Sequence, residues 1–313
     1  MGRNTNRMNF YSSIRRVSLM AIIVWLASAC FGQIPVEEAT RLAQSGRWSE
    51  AHDLLQPAVQ QNRDLANGHA WYVLGFIQKE LHKNAGESGV DAPFRAQSVE
   101  SFQLALAHQS LAQTERENSM EALDFLSRSY FREAIEMVEG FTYGAEKTIF
   151  DLMVRYEDIQ RYLNPEFDKT EQRSDLHRYL AQAYSNLLET ERFAETETED
   201  EILDKAILHF ESSLTMDAGN YATRYNYAIT LYNHGVRQLK RINHNTSMFQ
   251  LMEIQDACVA LFEQSLPPME QAHAQRPDRL ETLKGLMTIH YALSQKDESD
   301  AYRRQMEQLL QKR

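Results

Sequence analysis

The ionisable and nucleophilic side chains of this chain are many, yet few are spaced for chemistry. Its ten histidines are scattered. The nearest two in sequence, His234 and His244, would lie about 15 Å apart on a continuous helix, too far to share a metal. H-E-x-x-H, G-x-G-x-x-G and the phosphate loop are absent, and Gly86-Glu87-Ser88-Gly89 lacks the spacing of G-x-S-x-G. Residues 189–204 carry eight acidic side chains without the D-x-[DN]-x-[DN]-G order of a calcium loop, so they read as a solvated, extended insertion. Asn245-Thr246-Ser247 fits a glycosylation sequon, read as accidental beside a bacterial-type export signal. The expectation is a non-enzyme without metal or cofactor.

Cysteine chemistry is confined to Cys30 and Cys258. Cys30 follows Arg3, Arg7, Arg15 and Arg16 and the apolar run 17–29, closed by Ala27-Ser28-Ala29. A basic start, a short apolar stretch and small closing residues describe a signal peptide over residues 1–29. Cys30 is then either the acylated first residue of a mature lipoprotein or a bystander to ordinary cleavage, there or after Gly32. The expected location is the periplasm or the outer membrane, with membrane contact only through an anchor at Cys30. Cys258 sits in the apolar run 257–262 and reads as a buried thiol. A net charge of −11 argues against nucleic acid or anionic lipid as the partner, since both require a basic surface.

The elements beneath these residues are helical. The chain has 313 residues, 43% hydrophobic, with only 12 Gly and 7 Pro to interrupt long segments of helix formers. Trp48, Ala51, Leu55 and Ala58 share one helical face, with Gly46 at the turn before them and a kink or early end expected at Pro57. Trp71, Leu74, Gly75 and Gln78 begin a pair whose second helix offers Ser98, Phe102 and Ala105. That alternation lets two helices approach while the large residue fills the groove. An insert around residues 82–93 reads as a loop. Residues 116–159 form a degenerate unit with a stripe of Ala122, Phe125, Leu126, Tyr130, Ala134 and Met137, and Asn164-Pro165 breaks the chain. Leu180, Ala181, Ala183 and Tyr184 face Ala206, Phe210 and Ser213 in a second clear pair. Tyr225-Asn226-Tyr227-Ala228 opens a third, in which Pro267-Pro268 is expected to kink or break the partner helix.

These features resemble those of tetratricopeptide repeats (TPR). Trp71, Leu74 and Gly75 match W-x2-L-G-x2-Y, with Gln78 in place of the tyrosine, and residues 225–310 carry the most specific part of the likeness. The chain thus looks like an exported TPR protein of the Bacteroidetes type. The resemblance implies an all-α, TPR-like solenoid of antiparallel helix pairs in a right-handed superhelix, with extended inter-helix insertions. The repeat domain would cover residues 34–313 as about five to six pairs, clearest at 68–108, 176–220 and 222–279.

The resemblance also implies a concave groove lined by the first helix of each pair, binding protein or peptide. Its floor would present Tyr72, Phe76 and Lys79, then Arg178, Gln182 and Ser185, then Tyr225, Ile229 and Tyr232. Aromatics bring large contact area at low entropic cost, although the same side chains could simply pack against the next repeat. The carboxylate clamp of some TPR proteins needs several basic residues there, and only Arg178 is in place. The expected function is a scaffold or adaptor of the cell envelope. The alternative is a helical solute-binding, for example glycan-binding, lipoprotein.

Overall fold

The computed structural model describes residues 34–190 and 198–311. The expected signal peptide over residues 1–29, Cys30 and residues 191–197 of the acidic insertion lie outside the described residues. The fold is all-α. Among the described residues there are twelve helices: α1 (Val36–Gln44), α2 (Trp48–Gln61), α3 (Gly68–Ala85), α4 (Pro93–Ala107), α5 (Gln113–Glu139), α6 (Glu146–Leu163), α7 (Thr170–Thr190), α8 (Glu199–Met216), α9 (Tyr221–Lys240), α10 (Met248–Gln275), α11 (Leu280–Ala292) and α12 (Lys296–Gln311). No described helix is long and apolar enough to cross a membrane.

The chain divides into two compact units. Of the described residues, one holds 34–133 together with 154–165; the other holds 134–153 and those from 166 onward. In the first, α1 packs on α2 and α3 on α4, and α1 also touches α3. In the second, α7 pairs with α8, α9 with α10 and α11 with α12, while α9 touches both α7 and α11. First helix on first helix is the stacking that lets each pair cover its neighbour's apolar face.

The pairs are antiparallel, and small residues set their register. Across α3 and α4, Gly68 faces His108, Gly75 faces Phe102, and Gln78 bonds Ser101. Ser98 Oγ donates to the Gly75 carbonyl at 2.8 Å, and a Cβ on Gly75 would stand 3.1 Å from the Phe102 ring. The α9–α10 pair repeats this contact. Cys258 Sγ approaches the Gly235 carbonyl at 3.2 Å, and a Cβ on Gly235 would meet Phe262 at 2.7 Å. Ser98 and Cys258 each lie 23 residues after the glycine, and Phe102 and Phe262 each lie 27 after it. In α7 and α8 the same positions hold Ala183, Ala206 and Phe210. Gln78, the departure from the tyrosine of the repeat pattern, is buried and satisfied: it accepts from Ser101 on α4 and donates to Gln56 on α2.

Several local expectations need correction. Pro57 does not end α2, which runs on to Gln61. Pro267 and Pro268 do not break α10, where buried Ser265, Pro268, Met269 and Ala272 hold one face through the prolines. The insert at 82–93 is half helix: α3 continues to Ala85 and stops where Gly86 takes the left-handed conformation (φ 62°). The acidic segment is likewise helical at both ends, with α7 reaching Thr190 and Thr198 capping α8 in a reciprocal bond with Glu201. Ser247 of the sequon caps α10 in the same way with Gln250. In α5, Phe125 turns out to solvent, and Leu123 joins Leu126, Tyr130 and Ala134 in the core.

Candidate functional site

The nine groove positions fall on α3, α7 and α9 as three separate sets. On α3, Tyr72 and Phe76 line an apolar pocket of about 260 Å³ with Trp48 of α2 and Ala43, Thr40 and Gln44 of α1. The helical period puts Tyr72, Phe76 and Lys79 on one side of α3, while Trp71, Leu74 and Ile77 turn into the core. The Trp48 and Phe76 ring centroids are 6.1 Å apart, and Lys79 Nζ lies 4.4 Å from the Phe76 centroid. Phe76 is 37% exposed and half-covered by these neighbours. Tyr72 leans on Phe102 (6.3 Å between centroids), and its hydroxyl accepts from Asn118 Nδ2 at 3.3 Å.

Charge at the pocket edge is settled internally. Lys79 is 3.0 Å from Glu80, which Lys83 also reaches at 3.1 Å. Burial raises the Glu80 carboxyl, but its hydrogen bonds to the two lysines outweigh this and leave it below its ordinary value. The pocket therefore offers aromatic faces and a methyl-lined floor, with the polar groups of Thr40, Gln44 and Tyr72 around them. Such a surface has the size and chemistry to accept an apolar side chain.

The other sets are placed differently. Arg178 is held by Asp175 at 2.8 Å and lies over Tyr179, so its guanidinium is engaged within α7. Gln182 donates to Asn186 along the exposed side of that helix. Ser185 is not a groove residue. It is 3% exposed and bonded at 2.8 Å to both the Ala181 carbonyl and Thr230 of α9, because α9 packs across that face of α7. Tyr225, Ile229 and Tyr232 rest against the core of Ala228, Met269, Leu286 and Ile289, with Tyr232 on Phe262 at 5.4 Å. Tyr72 and Tyr232 each precede their phenylalanine by 30 residues, and both pack on it.

Sequence spacing missed two polar clusters. In the second unit, His177 and His209, 32 residues apart, bring their Nδ1 atoms to 2.9 Å. Glu146 lies 3.6 Å from His209 Nε2 and accepts from Tyr184 at 2.6 Å and Lys205 at 3.3 Å. Burial, with His209 and Arg173 adding to it, pushes His177 down to about 4. In the first unit, Arg95 is 1% exposed, pairs with Glu133 at 2.7 Å, stacks 3.7 Å over Tyr130 and donates to the Gly89 carbonyl. No signal within either helix could have revealed these contacts, since each depends on the pairing register. Among the described residues no His, Cys, Asp or Glu group is placed to hold a metal.

No family model matches the chain, and no curated protein matches it. Among solved structures, the nuclear import adaptor Nro1 of S. pombe aligns over 91% of this chain and 92% of its own, at 13% identity and a TM-score of 0.34. A likeness at that level carries no argument about function.

Proposed function

We propose that this chain is an exported, non-enzymatic TPR-type adaptor that captures a protein or peptide partner through the α1–α2–α3 pocket, with Cys30 as the lipid anchor that holds it at the outer membrane. The observation behind the binding role is the cluster of Trp48, Tyr72 and Phe76 around an open apolar cavity on the first helix of a pair. An apolar anchor residue of a peptide fits such a cavity, and large rigid aromatics are favoured where binding energy concentrates. The test is a photo-crosslinking amino acid at position 44, at the pocket edge, in the native host. A discrete adduct that disappears with Phe76→Ala supports the pocket as the capture site; crosslinks unchanged by that variant would overturn it. The intact mass of the mature protein tests the anchor. A chain starting at diacylated or triacylated Cys30 supports it, and an unmodified start there or at Gln33 removes it.

A further inference from the structure

The second unit carries a larger cavity, about 460 Å³, in the angle between α8, α9 and the N-terminal half of α10. Its floor is apolar, made by Leu203 of α8 and by Ile254, Ala257 and Leu261 of α10. Spaced at i and i+4 ahead of Glu253, Phe249 extends the same side of α10 beyond the cavity and is 70% exposed. Met248 and Met252 flank it, also exposed, so the apolar surface continues out of the cavity along the helix.

Two carboxylates flank this floor, Asp200 on α8 and Glu253 on α10, and neither has an ion-pair partner among the described residues. The two arginines of this end of α9 are committed elsewhere. Arg237 donates to the Leu188 carbonyl at 2.6 Å and to His234 at 2.7 Å, and Arg241 pairs with Glu199. Burial and the Arg237 guanidinium hold His234, at the cavity wall, below its ordinary value, so it adds no positive charge at neutral pH. The 28 residues of α10 include no Lys or Arg, and Asp256 and Glu263 add to Glu253. An apolar trough with one sign of charge along it selects for the opposite sign.

We propose that this trough docks an amphipathic helical segment of a partner protein. Its apolar side chains enter the cavity and its lysines or arginines meet Asp200 and Glu253. Helix-in-groove binding places apolar anchors every three or four residues, which matches the Ile254–Ala257–Leu261 line on α10. A second copy of this chain is disfavoured as occupant because it would bring the same carboxylates against Asp200 and Glu253. An anionic bilayer is disfavoured for the same reason. The site stands on different helices from the α1–α2–α3 pocket and does not depend on it.

The test uses the whole chain and two fluorescent helical peptides with identical Leu and Phe anchors, one carrying Lys at its polar positions and the other Glu. The Lys peptide should bind by anisotropy, weaken with salt, and lose about tenfold in affinity or more with the paired Asp200→Lys and Glu253→Lys changes. The exposed Phe249→Ser change, with little risk to folding, should also weaken it. Equal binding of both peptides, or indifference to all three substitutions, would overturn the proposal. So would sedimentation showing a dimer that Phe249→Ser dissociates, which would make a second copy the occupant. Circular dichroism of each variant keeps loss of fold distinct from loss of the site.

Discussion

Phe262 lies over Gly235 so closely that a methyl group on the glycine would come within 2.7 Å of its ring. The α3–α4 pair repeats the contact with more room, 3.1 Å between Phe102 and a Cβ on Gly75. Gly235→Ala is therefore expected to destabilise the protein by about 1–3 kcal/mol, because the neighbouring ring has to shift within a packed interface. Gly75→Ala is expected to be close to neutral, since gaining about 1 kcal/mol of helix propensity offsets milder crowding. Gly75→Leu leaves no such balance and should abolish folding. Urea denaturation of the three variants checks the order, and Phe262→Leu should partly restore Gly235→Ala.

Cys258 occupies the position that Ser98 holds in the earlier pair, each facing a glycine carbonyl. Cys258→Ser should then cost less than about 1 kcal/mol, because the hydroxyl can make the bond that Ser98 makes. Burial pushes the Cys258 thiol above its ordinary value, so a thiol reagent should fail to label Cys258 in the native protein and label it fully in denaturant.

Tyr72 and Phe76 separate packing from binding. Tyr72 leans on Phe102, so Tyr72→Ala should lower stability by about 1–2 kcal/mol. Phe76, on the open side of the pocket, should cost less than about 1 kcal/mol as alanine while removing capture of the partner. Thermal melts and crosslinking on the same preparations give both readouts. Equal destabilisation by the two changes would place Phe76 in the core as well.

Arg95 is a buried charge whose removal leaves Glu133 facing the Gly89 amide without its cation. Arg95→Ala is expected to cost about 3–5 kcal/mol. Arg95→Met, with Glu133→Gln, should recover part of that loss, because the apolar stem still covers Tyr130. Denaturant titrations of the single and double variants measure the coupling.

The histidine pair predicts acid lability. His177 holds its proton only below about 4 in the folded protein, against 6.5 when exposed. The unfolded chain thus binds more protons between those values, so stability is complete above pH 6.5 and falls as pH drops toward 4. Glu146, also held below its ordinary value, acts in the same direction at the lower end. Because His177 is only part-buried, the loss attributable to it is about 1–2 kcal/mol. Melting temperatures from pH 7 to pH 4 should decline more steeply in the native protein than in His177→Phe.

Sequence by itself determined the helices and their pairing. Small and large residues at helical spacing, Gly75 with Phe102 and Ala183 with Phe210, identify the faces that must meet, because only those choices let two backbones approach while filling the space between them. The caps at Asn67, Thr198, Asn220 and Ser247 emerge only in the structure; by sequence Thr198 falls in the acidic insertion and Ser247 in a sequon. Tertiary structure alone decided which of the remaining faces stay open. A helical period orients a residue about its own axis without naming the neighbour that covers it, and each residue turns that direction by about 100°. Ser185 therefore looked like groove floor until α9 closed over it, whereas Phe76 kept an open side because α1 and α2 leave a cavity beside it. The same physics explains Pro267 and Pro268, whose helix continues because packing on buried Met269 and Ala272 outweighs the bonds that the prolines lack. It also explains the two polar clusters: His177 with His209, and Arg95 with Glu133, are separated by 32 and 38 residues and meet only once helices are in register.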